Sequence, residues 1–267
     1  MKASRRRLDT ELVRRGLVAS RDRAREAVAS GQVTVNGAVA QKAARLVLPG
    51  DALELSSPPA RFVSRGGEKL EDALTAFGLD VTGLRCCDVG SSTGGFTDCL
   101  LQQGAAEVVA IDVGRAQLHE RLAEDHRVTL YERTDIRNVD PSAIGAPFDL
   151  VTADVSFISL TSVMACLADL AAPRAPVVVL VKPQFEVGRQ EASRGRGVIR
   201  DPEQWRAALD RVLEAATTAG LAPQAAIPSP LKGAQGNVEF FLHLERGGAT
   251  SSVDSAQVVA QSVTGDG

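Results

Sequence analysis

The 267-residue chain has few of the residues that would indicate several common classes of protein. Aromatic residues make up only 4% of it, and it contains four cysteines, none of them in a C-x-x-C pair. These are Cys86, Cys87, Cys99 and Cys166. No histidine accompanies them at zinc-site spacing, so we expect buried thiols in a reducing compartment and no bound metal.

Long apolar runs are also absent. No run approaches the ~20 residues needed to span a bilayer as a helix. The first residues include several arginines but no apolar stretch typical of a signal peptide. No internal repeat is present. These absences argue against a membrane or secreted protein, and we expect a cytoplasmic one.

Charge is unevenly distributed along the chain, although the net charge is only −3. Residues 1–61 contain 12 Lys and Arg against 6 Asp and Glu, whereas the remainder contains 18 basic and 27 acidic residues. A segment of net charge +6 is therefore joined to a body of net charge −9. This asymmetry favours a polyanion-binding module at the start of the chain, and the alternative is a solvated basic helix face.

The first segment has the pattern of a small α+β unit. An apolar helical stripe begins at Leu8 and is stopped by Gly16, and Ser20 is a suitable N-cap for a second helix ending near residue 30. The stretch 32-QVTVNG-37 alternates and ends in Asn-Gly, which predicts a β-hairpin. Short strands within 45–55 would complete the unit.

Beyond a candidate linker, 56-SSPPA-60, strands and helices alternate. Strands are predicted at 86–90, 108–113, 128–131, 149–155, 177–182 and 238–244. Helices are predicted at 94–103, 116–124, 160–171 and 202–219. This alternation predicts an α/β fold with a doubly wound, mostly parallel sheet. Residues from 247 onwards are rich in Gly, Ser, Ala and Gln, and we expect them to be disordered.

A glycine-rich loop, 88-DVGSSTGGF-96, follows the first strand of this sheet. Glycines at such a turn allow a ligand to approach the backbone, and the following helix N-terminus favours polar or anionic groups. The loop matches neither G-x-G-x-x-G, nor a phosphate-binding loop, nor a nucleophile elbow. With Asp88 before the glycine and Asp112 ending the next strand, it favours a nucleoside ligand without a pyrophosphate, Asp112 accepting from ribose hydroxyls. The alternative is a glycine-rich turn without a ligand.

Four charged residues lie at the ends of predicted strands or just before the sheet begins. Lys69 lies in 64-SRGGEKL-70, Asp154 ends the fourth strand, Lys182 ends the fifth, and Glu239 begins the last. The carboxyl ends of parallel strands line the ligand crevice, and a final antiparallel strand would begin at the same edge. Two lysines and two acids are therefore predicted to converge, and the alternative for each is an ordinary surface charge.

The motifs SRGGEKL, DVGSSTGGF, DVSFISL, VKPQFEVG and GNVEFF occur in this order. Residues 64–244 resemble the FtsJ-like S-adenosylmethionine-dependent RNA 2′-O-methyltransferases, and residues 1–61 resemble the S4-like RNA-binding domain. The combination is similar to the TlyA family, whose members methylate ribosomal RNA and are also described as haemolysins. The resemblance implies an S4-like α+β domain at 1–59, a linker at 60–63, a Rossmann-like methyltransferase domain at 64–246 with its last strand antiparallel, and a tail at 247–267.

The resemblance also implies roles for particular residues. The catalytic residues would be Lys69, Asp154, Lys182 and Glu239. The residues binding S-adenosylmethionine would be Asp88, Gly90, Ser91, Ser92, Thr93, Gly94, Gly95, Phe96, Asp112, Asp135 and Asp154, with Asp135 at the adenine. The candidate RNA contacts are Arg6, Arg7, Arg14, Arg21, Arg23 and Arg65.

The implied reaction is methylation of a cytidine 2′-hydroxyl in 23S rRNA. In the family, longer members with extra N-terminal residues modify both 16S and 23S rRNA, whereas shorter members modify only 23S rRNA. The basic start 2-KASRRRLD-9 favours the longer type. Lys182 would act as a base or as a cation that stabilises an alkoxide, without a metal.

The expected partner is ribosomal RNA in ribosomal subunits, not a membrane or DNA. The rival functions are a membrane-active haemolysin and a non-catalytic ribosome-binding or assembly factor. A pseudouridine synthase fits neither the sheet pattern nor the cofactor loop.

Overall fold

A computed structural model of the chain divides into two compact units, residues 1–63 and 64–267. It describes residues 5–29, 31–56, 61–187, 197–249 and 251–264. Most of the predicted linker, at 57–60, and the expected end of the second helix, at residue 30, lie outside the described residues.

Two short helices and two small sheets form the first unit. The helices are α1 (Leu8–Arg14) and α2 (Arg21–Ala29). The strands are β1 (Arg6–Arg7), β2 (Val33–Val35), β3 (Ala38–Val39), β4 (Leu46–Val47) and β5 (Leu53–Leu55). The predicted hairpin is confirmed: β2 pairs antiparallel with β3, and Asn36 and Gly37 both have positive φ in the turn.

The second unit alternates strands with helices. Its strands are β6 (Arg85–Val89), β7 (Glu107–Ile111), β8 (Val128–Tyr131), β9 (Leu150–Ala153), β10 (Pro176–Val181), β11 (Leu221–Pro228) and β12 (Phe240–Arg246). Its helices are α3 (Arg65–Phe77), α4 (Gly95–Gln102), α5 (Glu120–Ala123), α6 (Met164–Leu170), α7 (Pro183–Glu186), α8 (Pro202–Thr218) and α9 (Ser255–Thr264). Short 3-10 turns lie at Ile136–Asn138, Pro141–Ile144, Leu160–Ser162 and Ala234–Gly236.

The seven strands of the second unit form one sheet in the order β11-β12-β10-β9-β6-β7-β8. The β10–β9, β9–β6, β6–β7 and β7–β8 pairs are parallel, and β12 is antiparallel to both of its neighbours. This confirms the doubly wound, mostly parallel sheet with an antiparallel last strand. The strand order reverses between β6 and β9, which is where such sheets open a ligand crevice at the carboxyl ends of their strands.

Buried apolar strands hold this sheet between its helices. In β10 the run from Val177 to Val181 is almost fully buried, as expected for a strand covered on both faces. Cys86 and Cys87 are buried in β6, and burial raises the pKa of the Cys86 thiol to about 12. The expectation of buried thiols is thus confirmed for this strand.

Two elements of the second unit differ from the sequence patterns. The stretch 221-LAPQAAIP-228 forms β11 despite two prolines, which remove hydrogen bonds from a strand ladder. β11 is at the edge of the sheet and bulges between Pro223 and Ala225, and an edge strand tolerates such losses. The motif SRGGEKL opens helix α3, where the Ser64 hydroxyl accepts from the Gly66 N–H as an N-cap.

The expectation of a disordered tail from residue 247 onwards is wrong for residues Ser255–Thr264. Residues Ser255–Thr264 form helix α9, which contacts α8 and β11. Val258 and Val259 are buried, and the Ser255 hydroxyl donates to Asp210 at 2.6 Å. The average composition of the tail concealed a short amphipathic helix with apolar residues to bury. No helix in the described parts of the chain is long and apolar enough to cross a bilayer.

Candidate active site

Two adjoining cavities lie at the carboxyl ends of the central strands. The larger has a volume of about 450 Å³ and the smaller about 170 Å³. Gly90, Ser92 and Asp154 line both of them. The larger is within the range of ~300–1,000 Å³ typical of small-molecule sites, and it lies at the crevice expected from the strand order.

The glycine loop lets backbone segments meet at the floor of the crevice. Gly90 has a φ of +83°, and a Cβ at this position would be 2.6 Å from the carbonyl oxygen of Asp154. A Cβ on Gly95 would be 2.2 Å from the hydroxyl of Ser64 and 3.0 Å from the Gly67 nitrogen. The end of β6 therefore packs directly against the end of β9, and the first turn of α4 against that of α3.

Asp112 links the loops that follow β6 and β7. Its carboxylate accepts from the Ser92 N–H at 2.7 Å and from the Gly114 N–H at 2.6 Å. Asp112 also lines the larger cavity. A carboxylate has about four lone-pair sites, so two backbone bonds leave it able to accept from ligand hydroxyls.

A second carboxylate lines the larger cavity at Asp135. It accepts from the Arg137 backbone N–H at 3.0 Å, and the Arg137 guanidinium grips both of its oxygens, with Nη2 2.5 Å from Oδ2. The hydrogen bond from the guanidinium lowers the pKa of Asp135 to about 2. Asp135 therefore remains an ionised acceptor in a fixed orientation.

The first of two ion pairs joins residues that are far apart in the chain. Lys69 on α3 lies 2.5 Å from the carboxylate of Glu239, which immediately precedes β12. The two residues are 8% and 3% exposed. Burial raises the pKa of Glu239 above its usual range, although the neighbouring Lys69 opposes the shift. The pair is held away from solvent, where a charge is costly unless it is paired.

The second ion pair joins two adjacent strand ends. Lys182 Nζ lies 2.5 Å from Asp154 Oδ1 and donates to the Ser156 hydroxyl at 2.8 Å. The side chains of Lys182 and Asp154 are 11% and 26% exposed. Since β10 is the parallel neighbour of β9, the residues that follow these strands emerge side by side.

The two ion pairs belong to one site. Lys69 and Asp154 line the same small cavity. The charges of Lys182 and Asp154 also act on the pKa of Glu239, the lysine lowering it and the aspartate raising it. The structure thus brings together the four residues expected from the strand-end pattern, and their catalytic roles stay a prediction.

The other residues predicted from the glycine loop are placed in two ways. The smaller cavity is lined by Ser91, Ser92, Thr93, Gly95 and Phe96. Asp88 and Gly94 line neither cavity. Asp88 is completely buried beneath the loop, where it accepts from the hydroxyls of Thr97 at 2.7 Å and Thr152 at 3.2 Å. Burial raises its pKa to about 7.

Among the residues at the larger cavity that the sequence patterns missed are Arg137, Ser156 and Phe157. Ser156 and Phe157 belong to the motif DVSFISL, and Arg137 lies two residues after Asp135, so position beside a predicted residue was the available signal. Phe157 is 89% exposed with a φ of +68°, and its ring lies 5.3 Å from that of Phe185. Such exposure of an aromatic ring is visible only in the fold.

The predicted RNA-contacting arginines have different surroundings. Four of them pair with Asp9 or Glu11 in the first unit: Arg6, Arg7, Arg14 and Arg21. Arg23 pairs with Glu26, and its side chain is only 18% exposed. Arg65 belongs to the second unit, where it lines the smaller cavity and donates to the Lys232 carbonyl at 3.3 Å.

Comparisons with known proteins agree with this arrangement. The FtsJ-like methyltransferase family model matches residues 62–246, and the S4 domain model matches residues 6–53. A relative from Mycobacterium tuberculosis (strain ATCC 25618 / H37Rv), named 16S/23S rRNA (cytidine-2'-O)-methyltransferase TlyA, is 47% identical over 91% of this chain and 90% of its own length. The chain belongs to the TlyA family of FtsJ-like methyltransferases.

Other relatives extend this TlyA-family assignment. One from Bacillus subtilis (strain 168), named "Putative rRNA methyltransferase YqxC", is 41% identical over 91% of this chain and 87% of its own length. The solved structure of a "Putative hemolysin" from Streptococcus thermophilus is 36% identical, with a TM-score of 0.77 over 97% of this chain and 96% of that chain. The fold of the TlyA-family chain thus matches a solved structure along nearly its whole length.

Proposed function

We propose that this TlyA-family methyltransferase transfers a methyl group from S-adenosylmethionine to the 2′-hydroxyl of cytidine in 23S and 16S rRNA. The observation that carries the proposal is the pair of ion pairs, Lys69–Glu239 and Lys182–Asp154, beside a nucleoside-sized cavity. The name of the mycobacterial relative supports cytidine as the target and both rRNAs as substrates.

The larger cavity fits the nucleoside part of S-adenosylmethionine. Asp112 presents a fixed carboxylate that would accept from ribose hydroxyls, and Asp135 presents another that would accept from an adenine amino group. The backbone of Gly90 and Ser92 forms a wall shared with the smaller cavity. When bound, S-adenosylmethionine supplies a methyl group that its sulfonium charge makes electrophilic.

Lys182 is the residue that would act on the substrate hydroxyl, which by itself is a weak nucleophile. Its ammonium group has three donors. Among the described residues, one donor is hydrogen-bonded to the Ser156 hydroxyl, and Asp154 Oδ1 lies 2.5 Å from Nζ as a counter-ion. A further donor would bind the ribose oxygen and stabilise the negative charge that develops there. Asp154, which lies 2.5 Å from Nζ, would accept the hydroxyl proton.

The buried Lys69–Glu239 pair would hold the site in shape. Lys69 adds a second cation at the smaller cavity, and Glu239 fixes its position by a 2.5 Å contact. Charges that are already fixed in position stabilise developing charge without reorganising during the reaction. This supports a reaction driven mainly by positioning and electrostatics.

The test is methyl transfer from labelled S-adenosylmethionine to isolated small and large ribosomal subunits from a host lacking the modification. Wild type should label both rRNAs, and nuclease digestion should release the label as 2′-O-methylcytidine. Label on a base, or no label from protein that binds the cofactor, would refute the proposal.

Two substitutions of Lys182 separate its possible roles. Lys182→Met should reduce the rate by about a hundredfold or more, as loss of one stabilising donor does elsewhere. Lys182→Arg keeps the charge and should retain measurable transfer, whereas a residue acting as a base could not be replaced by arginine. Arg206→Gln, which removes a half-exposed cation from α8, is the control and should leave the rate unchanged.

A further inference from the structure

Two buried carboxylates in the first unit lie beneath a group of six arginines. Asp9 and Glu11, both on α1, are 0% and 1% exposed. Within 4 Å of Asp9 are Arg7, Arg21 and Arg25, and within 4 Å of Glu11 are Arg6, Arg14 and Arg15. Each acid is therefore shared by three guanidinium groups, and neither acid has a role in the candidate active site.

Two of these contacts are forks that fix the plane of the guanidinium. Arg7 donates to Asp9 through Nε at 3.1 Å and Nη2 at 2.8 Å, and Arg14 donates to Glu11 through Nε at 2.8 Å and Nη2 at 2.6 Å. In such a fork the other amino group, Nη1, points away from the carboxylate. The Arg7 and Arg14 side chains are 45% and 50% exposed, so part of each planar group faces solvent.

Arg15 shows what a purely structural arginine looks like in the same cluster. It donates to Glu11 at 2.9 Å, to the Asp51 carbonyl at 2.8 Å and to the Pro49 carbonyl at 2.9 Å. Its side chain is only 22% exposed. The other five arginine side chains are 45–54% exposed. The cluster thus has one internal member and an outer layer that faces solvent.

The two acids do not help the cluster to attract a polyanion, because they reduce its positive charge. Six arginines and two carboxylates leave a net charge of +4. Hydrogen bonds from Arg14 and Arg15 lower the pKa of Glu11 to about 2, and that from Arg7 holds the pKa of Asp9 well below its usual range. Both acids are therefore charged near neutral pH, reduce the positive charge and carry a burial cost. What they provide is a fixed orientation for the arginines.

We propose that Asp9 and Glu11 are positioning residues that hold Arg6, Arg7, Arg14 and Arg21 as an ordered array for the phosphate groups of RNA. The inference rests on the proposed function in taking RNA as the partner. A free arginine side chain loses rotamer freedom when it binds a phosphate, whereas one already held by a carboxylate has lost much of it on folding. A guanidinium also matches phosphate geometry better than an ammonium does.

The test measures binding of the full-length protein to a fluorescein-labelled RNA hairpin by fluorescence anisotropy at about 150 mM salt. Asp9→Asn and Glu11→Gln each remove one negative charge, so simple attraction predicts equal or tighter binding. Positioning predicts the opposite, a Kd raised about five- to tenfold by the loss of order in two or three arginines. Equal or tighter binding by folded variants would overturn the proposal.

Asp22→Asn is the matched control. Asp22 lies in the same unit and pairs with Arg25, but its side chain is 88% exposed. Asp22→Asn changes the net charge by the same amount but leaves the Arg7–Asp9 and Arg14–Glu11 forks in place. The affinity of this variant for the hairpin should therefore equal or slightly exceed that of wild type. Weakening by Asp22→Asn as large as that by Asp9→Asn would contradict a special role for the buried acids.

A second pair of variants keeps the proposal testable if the buried substitutions unfold the first unit, as judged by circular dichroism. Arg7→Lys and Arg14→Lys alter half-exposed residues and preserve charge, but lysine cannot form the fork. Their Kd for the hairpin should rise about threefold or more, and an unchanged Kd would overturn the proposal. The hairpin assay needs no methyl transfer, so failure of the proposed enzymatic function is recognised separately, by unlabelled ribosomal subunits.

Discussion

Titration of Asp88 should make the second unit less stable as the pH rises. The side chain is completely buried and accepts from the hydroxyls of Thr97 and Thr152. Burial raises its pKa from 3.8 to about 7, although the two hydroxyls oppose the shift. The folded chain therefore keeps a proton on Asp88 in a pH range where the unfolded chain has released it.

The sign and size of the effect follow from linkage. Between about pH 4 and pH 7 the folded state binds more protons than the unfolded state, so the free energy of unfolding falls as the pH rises. A shift of about three pKa units corresponds to ~4 kcal/mol at most. Asp125 and Asp135, whose pKa values are lowered to about 2, have the opposite effect, but mainly below about pH 4.

Asp88→Asn isolates this contribution. Asparagine is neutral at every pH, and its amide can accept from one threonine hydroxyl and donate to the other. Relative to wild type, the variant should gain up to ~4 kcal/mol between about pH 4 and pH 8. Any cost of the altered hydrogen bonds is the same at each pH and does not change this slope.

Urea unfolding followed by the fluorescence of Trp205 is the appropriate assay. Trp205 is the single tryptophan of the chain and is buried on α8, in the same unit as Asp88. Asp72→Asn, at an exposed position of α3, is the control and should follow the wild-type pH dependence. Parallel stability curves for wild type and Asp88→Asn would refute the reasoning.

Two further substitutions test the crevice and the terminal helix. Gly90→Ala places a Cβ 2.6 Å from the Asp154 carbonyl at a φ of +83°, so it should cost ~2 kcal/mol or more and weaken cofactor binding about tenfold by equilibrium dialysis. Unchanged cofactor affinity would contradict the placement of Gly90 in the site. Val258→Asp puts a charge at a buried position of α9 and should lower Tm by about 4–8 °C, whereas Val263→Asp, at a 55% exposed position of that helix, should have little effect. Equal melting temperatures for the two valine variants would show that α9 adds no stability.

The sheet was predictable because its signals are local. Buried parallel strands have short apolar runs in their sequence, such as 177-VVVLV-181. The alternation of strands with helices indicates the class of fold. The glycine loop was predictable for the same reason, since the tight turn after β6 needs residues without side chains.

The elements that sequence patterns missed depend on distant partners. Strand β11 is acceptable with two prolines only because it is an edge strand, and its position at the edge is a property of the whole sheet. Helix α9 forms where β11 and α8 offer apolar surface to Val258 and Val259. Asp88 was expected to contact a ligand, but the fold places it below the loop, between two threonines.

By itself, the sequence determined which residues would meet at the site, because parallel strands carry each following loop to one edge of the sheet. Only the tertiary structure decided how they pair. Lys69 pairs with Glu239, which lies 170 positions later in the chain. Lys182 forms an ion pair with Asp154 and donates to the Ser156 hydroxyl. The reason is strand order: β10 lies between β9 and β12, so Lys182 emerges between two acids, and packing rather than sequence selects its partner.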